Sequence, residues 1–294
     1  MVTVRVPATS ANLGSGYDTL GVALRAPTET VAVERAPETT VSVEGPFANQ
    51  VPAEPGANAA GAVAEHLGVA AAIDLEKRIP VGAGLGSSGA SAAGAAVGLN
   101  RLFDLGLDDG ALVEAAAAGE AVASGAAHAD NVAASVLGGL AVVASGGVHH
   151  LPASVPLVAC VPDATVQTRV AREHVPAHIS ADDHVAALGN VATVVIGMAR
   201  DDPVRVGRGL IESAMTAPRR ALVPGHAAVD AAARDAGATG VAISGAGPSM
   251  LATCEADDRT AVAAAMVDAF VEAGVEAEAV ETRVGDGARV ADGP

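Results

Sequence analysis

The N-terminal part of the chain alternates apolar and polar positions, with Pro and Gly between the alternating runs. The runs are VTVRVPA, TETVAVERA and TTVSVEG. Such alternation is typical of strands that bury one face and expose the other. We therefore expect the chain to open with an antiparallel sheet.

Helical patterns rich in Ala follow over residues 58–68, 87–103 and 107–123, with a strand expected over residues 72–79. Asp108 stands where it can cap the third helix, and Gly125 lies just beyond the end of that helix. We expect a turn over residues 128–131, then a short helix and the strand GLAVVAS.

The stretch GGVHHLPASVP contains Gly and Pro and shows no periodicity, so we expect a loop here and a domain boundary near Pro152. Beyond it the pattern predicts the strand LVACVP, helices between residues 182 and 236, the strands GVAISG and SMLATC, a helix over 257–273 and a strand over 277–284. With the middle helices set aside, this order is the β-α-β-β-α-β of a ferredoxin-like split unit. The sequence thus predicts an α+β protein with domains over residues 1–152 and 153–294, ending in the polar tail VGDGARVADGP.

The charge balance of the chain bears on which classes of binding partner can be expected. The 294 residues include 34 acidic and 17 basic side chains, a net charge of −17, and Lys77 is the only lysine. Such an acidic surface argues against nucleic acid or an anionic membrane as partner. The composition resembles that of proteins from salt-loving organisms, and a GC-rich genome that replaces Lys codons with Arg codons is the alternative explanation.

Cysteine usage and hydropathy indicate a cytoplasmic, soluble protein. Cys160 and Cys254 have no C-x-x-C spacing, so neither a disulfide framework nor a zinc site is expected. The N-terminus lacks a basic region followed by an apolar run, and no apolar segment reaches membrane-spanning length.

The run PVGAGLGSSGASAAG, which starts at Pro80, is the strongest candidate for chemistry. GLGSSG satisfies G-x-G-x-x-G, but a dinucleotide fold needs a parallel strand after the helix, and here another helix follows. As a P-loop it would carry Ala90 where lysine is required. What remains is a glycine-rich loop opening a helix, where free N–H groups and the helix dipole favour an anion, or a flexible turn with a serine cap.

Three stretches together resemble one family, the GHMP kinases. PVGAGLGSSGASAA is similar to their phosphate loop, VRVPATSANLGSGYDTLGVAL to their N-terminal motif and GVAISGAGPSMLA to their third motif. The forms SANLGSGYDTLG and HADNVAASVLGG are most similar to the branch that acts on L-homoserine. The resemblance spans Val4 to Leu251. It implies a ribosomal-S5-like N-terminal domain, a ferredoxin-like C-terminal domain, and magnesium-assisted phosphoryl transfer from ATP to the hydroxyl of L-homoserine in threonine biosynthesis.

On the nucleotide side, the resemblance implies that adenosine lies near Asn58 and that Ser88 and Glu120 hold Mg²⁺. A hydroxyl and one carboxylate suit this ion, which keeps phosphate and water as its other ligands. The alternatives are a helix cap for Asn58, a capping serine at Ser88 and a solvated helix-face Glu120, although Glu120 stands in an apolar segment. The residues implied to hold ATP on the loop are Pro80, Val81, Gly82, Ala83, Gly84, Leu85, Gly86, Ser87, Ser88, Gly89, Ala90 and Ser91.

On the substrate side, the resemblance implies a set of polar residues: Asn12, Asp18, His128, Asp130, Arg172 and Arg219. The aspartates would hold the ammonium of the amino acid, and the arginines would hold its carboxylate through forked hydrogen bonds. Arg169 and Arg220 stand close to the two arginines, so the assignment within each pair stays open.

The residues implied to act in phosphoryl transfer are Asn131, Glu120, Thr168 and Arg172. Thr168 matches the position that contacts the γ-phosphate in the family. Asn131 would orient the attacking hydroxyl without a general base, and Asp130 as a base is the alternative.

Two other functions remain open. The chain could phosphorylate another small alcohol such as mevalonate, shikimate or pantoate, or it could be a non-catalytic ligand sensor on the same fold. Paired arginines with an ammonium site favour a zwitterion over those acids, and a sensor has no need of a magnesium site. The sequence leaves the oligomeric state open, with a homodimer as one alternative.

Overall fold

Two β-sheets with helices packed against them form the computed structural model, which describes residues 1–125 and 129–291. The strands of the first sheet are β1 (Val2–Ala11), β2 (Leu20–Arg35), β3 (Thr40–Glu44), β4 (Ala71–Glu76), β5 (Leu140–Ala144), β6 (Gly147–Leu151) and β11 (Arg289–Val290). The strands of the second sheet are β7 (Pro156–Pro162), β8 (Ala238–Ile243), β9 (Met250–Cys254) and β10 (Ala277–Arg283).

The helices in the first half of the chain are α1 (Ala59–His66), α2 (Ser87–Phe103), α3 (Asp109–Ser124) and α4 (Ala129–Leu137). The helices in the second half are α5 (Thr168–Glu173), α6 (Ala181–Met198), α7 (Pro203–Gly209), α8 (His226–Asp235) and α9 (Arg259–Glu272). Across residues 1–125 and 129–291, none of these helices has the length and apolar character needed to cross a bilayer.

The first sheet has the order β11-β1-β2-β4-β3, and β5 joins β2 to β6. β1 and β2 pair antiparallel, as expected, and β2 also pairs antiparallel with β4. The antiparallel expectation is wrong for β3, which runs parallel to β4, because a helical crossover containing α1 connects the two strands. The expected loop after β5 is also wrong, since β6 pairs with β5 as a hairpin.

One further prediction in this part needs correction. The turn expected over residues 128–131 is wrong for Asp130 and Asn131, which lie in the first turn of α4. His128 lies outside the described residues. In the polar tail, Val290 pairs with Val4 at the edge of the first sheet.

The second sheet has the antiparallel order β10-β7-β9-β8, and α8 and α9 pack against it. Its strands and these two helices give the expected β-α-β-β-α-β order, and the predicted α+β fold class is confirmed. α5, α6 and α7 are inserted between β7 and α8. The domain limits at residues 152 and 153 stay predictions.

Helix α2 lies against the first sheet and begins and ends where the sequence predicts. Its small residues allow close contact, since a β-carbon on Gly94 would collide with the side chains of Val6 and Val31. The helix is therefore fixed against β1 and β2, and its N-terminal end is held in one place relative to the sheet. α3 is capped at Asp108, whose carboxylate accepts from Ala111 N–H, and it ends at Gly125 with φ of 77°.

We expect stability to depend steeply on salt, because a net charge of −17 on one chain is self-repelling and KCl screens it. Between about 0.1 M and about 3 M KCl the thermal midpoint is expected to rise by roughly 10 °C or more. Differential scanning calorimetry measures this change. An uncharged osmolyte is the control, since it strengthens apolar burial without screening charge. A midpoint that ignores KCl would favour the codon-usage explanation of the composition.

Candidate functional site

The three glycine-containing motifs of the sequence meet at one cleft of about 600 Å³. They are distant along the chain. The first lies in β1 and the segment after it, the second in the loop before α2, and the third in β8 and the segment after it. Backbone hydrogen bonds join them, from Thr9 N–H to Leu85 O at 3.0 Å, from Gly245 N–H to Ala11 O at 3.1 Å and from Ser249 N–H to Ala83 O at 3.2 Å. The cleft is thus built from the motifs themselves.

The loop over residues 80–86 has a backbone shape that only glycine adopts readily. Gly82, Gly84 and Gly86 have φ of 69°, 84° and 68°. A β-carbon on Gly84 would collide with the carbonyl of Ser244, and one on Gly86 would collide with the hydroxyl of Thr9. Gly86 also occupies the N-cap position of α2, where it offers no side chain to the first N–H groups. The loop and helix end therefore have a geometry that is suited to an anion.

Ser88 and Glu120 face each other beside this loop. The Ser88 hydroxyl donates to Glu120 Oε1 at 3.4 Å, and both residues line the cleft. Glu120 is 3% exposed, so the alternative of a solvated helix-face glutamate is wrong. The pair offers a hydroxyl and a carboxylate oxygen, the hard donors that Mg²⁺ prefers, so the residues present fit this ion.

Asn131 lines the cleft from the first turn of α4, and a residue that sequence reasoning missed holds its side chain. The hydroxyl of Thr9, fully buried in β1, donates to Asn131 Oδ1 at 2.8 Å. The amide oxygen is therefore engaged. Thr9 stands inside the motif VRVPATSANLG, but nothing local marks its hydroxyl as the partner of a residue on another element.

Aspartate, tyrosine and arginine side chains gather at the other end of the site. Arg172 Nη2 lies 3.1 Å from both carboxylate oxygens of Asp18. The guanidinium groups of Arg172 and Arg219 lie 5.8 and 5.4 Å from the ring centre of Tyr17. Buried Arg219 donates to Gly245 O at 2.8 Å. Burial lowers the pKa of Arg219 and raises the pKa of Tyr17, the latter with help from the charge of Asp18.

The structure distinguishes between the members of each arginine pair. Arg169 forms a surface ion pair with Glu173 at 2.6 Å, although it also lines the rim of the cleft. Arg220 pairs with the buried carboxylate of Glu212. Arg172 and Arg219 are the two that come together at Tyr17.

Like Asn131, the other two predicted asparagines at the cleft have their side chains engaged by the protein itself. Asn12 Nδ2 donates to Gly245 O at 2.8 Å, and its Oδ1 accepts from Asp18 N–H at 3.1 Å. Asn58 caps α1 by accepting from Ala60 N–H at 2.9 Å, which confirms the capping alternative. Contact of Asn58 with adenosine stays a prediction.

Two further predicted residues lie in the same cleft. Asp130 is buried, and its Oδ1 accepts from Asn131 N–H at 2.9 Å. Thr168 is the first residue of α5 and lines the cleft. Of the predicted site residues, only His128 falls outside the part of the chain that the structure describes.

Comparison with known proteins agrees with this geometry. The model of the GHMP kinases N terminal domain matches residues 56–139, and that of the GHMP kinases C terminal matches residues 195–272. The homoserine kinase of Halorubrum lacusprofundi is 54% identical over 290 residues, with 99% of both chains covered. That of Natronomonas pharaonis is 53% identical, with 99% of this chain and 100% of the relative covered.

A solved structure extends the similarity to three dimensions. The crystal structure of homoserine kinase from Cytophaga hutchinsonii superposes with a TM-score of 0.89 at 32% identity. The superposition covers 99% of this chain and 97% of that chain. The chain therefore belongs to the homoserine kinases of the GHMP kinase superfamily.

Proposed function

We propose that the protein transfers the γ-phosphoryl group of ATP to the side-chain hydroxyl of L-homoserine, giving ADP and O-phospho-L-homoserine on the route to threonine. One observation carries the proposal. The glycine turn, the Ser88–Glu120 pair and Asp18 line one cleft, and Asp18 pairs with Arg172. The names of the similar proteins support the same reaction.

The nucleotide phosphates would lie on the loop that starts at Pro80 and on the first turn of α2. The backbone N–H groups and the positive end of the helix dipole favour phosphate there. The hydroxyl of Ser87 donates to Ile79 O at 2.9 Å, and the hydroxyl of Ser91 points to buried partners. These two serines would therefore support the loop, while Ser88 has its hydroxyl in the cleft.

Ser88 and Glu120 would hold the Mg²⁺ that accompanies ATP. When bound, the ion neutralises charge on the phosphate oxygens during transfer. The hydroxyl of Ser88 supplies one oxygen from the helix start. The buried carboxylate of Glu120 would supply a charged oxygen ligand to the ion.

L-Homoserine would lie at the arginine and aspartate end, with its ammonium at Asp18 and Asp130 and its carboxylate at Arg172 and Arg219. Asp18 and Arg172 already form an ion pair, at 3.1 Å. A zwitterion can replace each member of that pair with an equal charge, whereas an acid without an ammonium group cannot. This favours homoserine over mevalonate, shikimate and pantoate as substrate.

Asn131 would orient the attacking hydroxyl. Because its amide oxygen accepts from Thr9, its NH₂ group is the end left to donate to the substrate oxygen. An amide does not take up a proton at neutral pH, so the hydroxyl proton would pass to the transferred phosphate. Thr168 would contact the γ-phosphate from α5. Asp130 as a general base is the competing mechanism.

We expect Asn131→Ala and Thr9→Val to lower turnover by roughly 100-fold and 10-fold, because each loosens the orientation of the attacking hydroxyl. Homoserine affinity, measured by calorimetry, should change little in both variants. Asp130→Asn should instead weaken homoserine binding. Retention of affinity with complete loss of turnover in Asp130→Asn would identify Asp130 as the base and overturn the mechanism without one.

The proposed function is tested by a coupled ADP-release assay at high KCl with L-homoserine, mevalonate, shikimate and pantoate. Strict dependence on L-homoserine is the expected result. Dependence on another alcohol would show that the chain has a different kinase activity. Ligand binding without ADP release from any of them would support the sensor alternative.

A further inference from the structure

The only lysine of the chain, Lys77, is buried directly beneath the anion-binding turn. It follows β4, and its side chain is 1% exposed. Its Nζ donates to Ser87 O at 2.8 Å, to Ser91 Oγ at 2.8 Å and to Glu29 Oε1 at 2.9 Å. Ser91 Oγ in turn donates to Glu29 Oε1 at 2.9 Å. One ammonium group thus joins the first turn of α2 to the middle of β2.

The chain uses arginine at every other basic position, and this site explains the exception. A tetrahedral ammonium can direct three N–H bonds at three acceptors around a point, whereas a planar guanidinium cannot. Glu29 is also 1% exposed, and its second oxygen lies 2.8 Å from Lys77 Nζ. Removing one partner alone would leave the other as an uncompensated buried charge.

Burial acts on both members of the pair. It lowers the pKa of Lys77 and raises the pKa of Glu29, and in each case the opposite charge of the partner counteracts the shift. A buried ion pair is weak evidence for a gain in stability, since apolar residues of similar size often do as well. Its position under the loop calls for another explanation.

We propose that Lys77 is a positioning residue for the anion-binding turn. It holds the carbonyl of Ser87 and the hydroxyl of Ser91 against Glu29, and so sets the direction of the first N–H groups of α2. The expected effect on ATP binding rests on the proposed function, whereas the expected effect on the order of the turn does not. Lys77 touches no reacting atom in this scheme and acts through the backbone of the loop.

The test compares Lys77→Met, Lys77→Arg and the double variant Glu29→Met with Lys77→Met. Amide hydrogen exchange over residues 80–91 measures the order of the turn without nucleotide. Steady-state kinetics measure KM for ATP and for homoserine separately. Leu99→Ala is the matched control, because Leu99 is a fully buried residue in α2 about 18 Å along the helix from Ser87.

We expect faster exchange over residues 80–91 in all three variants, and a KM for ATP raised by about 10-fold or more, with the KM for homoserine nearly unchanged. Leu99→Ala should lower the melting temperature without either effect. In the double variant no charge is left unpaired, so its altered turn cannot be attributed to a buried lone charge.

Wild-type exchange in the double variant would overturn the proposal and leave the pair a purely structural feature. Wild-type exchange in Lys77→Arg would contradict the argument from three converging acceptors. If the double variant does not fold, Ser91→Ala removes one contact with a minimal change of volume and should still speed exchange of the turn. Failure of the wild-type protein to bind ATP would contradict the proposed function, while the exchange data would still decide the role of Lys77.

Discussion

Glu120→Gln is expected to reduce turnover by about 100-fold or more while the protein stays folded. The change keeps the volume of the side chain and removes the negative charge that faces Ser88 across 3.4 Å. Since Mg²⁺ prefers charged oxygen ligands and phosphoryl transfer depends on neutralising phosphate charge, the loss should appear in turnover and in the Mg²⁺ requirement. Initial rates over a range of Mg²⁺ concentrations measure both.

Glu114→Gln is the matched control for this prediction. Glu114 lies on the same helix, α3, but it is exposed, and it is not among the residues that line the cleft. Its substitution should leave turnover and the Mg²⁺ requirement unchanged. Unchanged turnover of Glu120→Gln at saturating Mg²⁺ would show that Glu120 is a buried helix residue with no part in metal binding. Loss of folding in Glu120→Gln would assign it a structural role.

The second large effect concerns the substrate. 4-Hydroxybutyrate keeps the hydroxyl and the carboxylate of homoserine but lacks the ammonium group. Its carboxylate would compete with Asp18 for Arg172, and it brings no positive charge to replace Arg172 at Asp18 or to approach Asp130. Loss of the charge-assisted contacts that the ammonium would make costs several kcal/mol, so kcat/KM should fall by roughly 1,000-fold, or about 4 kcal/mol.

Arginine variants test the other half of the same site. Arg219→Lys loses a planar group that contacts both Gly245 O and the Tyr17 ring, and it should raise the KM for homoserine. Arg220→Lys is the control, because Arg220 pairs with Glu212 instead. Similar kcat/KM values for homoserine and 4-hydroxybutyrate would contradict the ammonium site. Equal effects of the two arginine variants would contradict the assignment of Arg219 over Arg220.

Local sequence patterns predicted the helices that are marked by their own residues and by the residues that flank them. Apolar periodicity and the flanking residues gave α2 its observed limits, and Asp108 and Gly125 bound α3 as expected. The same method failed for β6 and for the start of α4. β6 has mostly exposed side chains and is held by its pairing with β5, so it carries no alternation that a sequence pattern could reveal.

In the candidate site, too, short sequence patterns determined some features and packing between elements decided the others. By itself the sequence determined the fold class, the family resemblance, the glycine loop and the site residues proposed from their motifs, because these depend on short stretches of fixed spacing. Only the tertiary structure decided that Arg172 and Arg219 meet at Tyr17, that Thr9 holds Asn131 and that Lys77 lies under the glycine-rich turn before α2. Each of these contacts joins side chains from separate elements, and their geometry is set by how the sheet and the helices pack against each other.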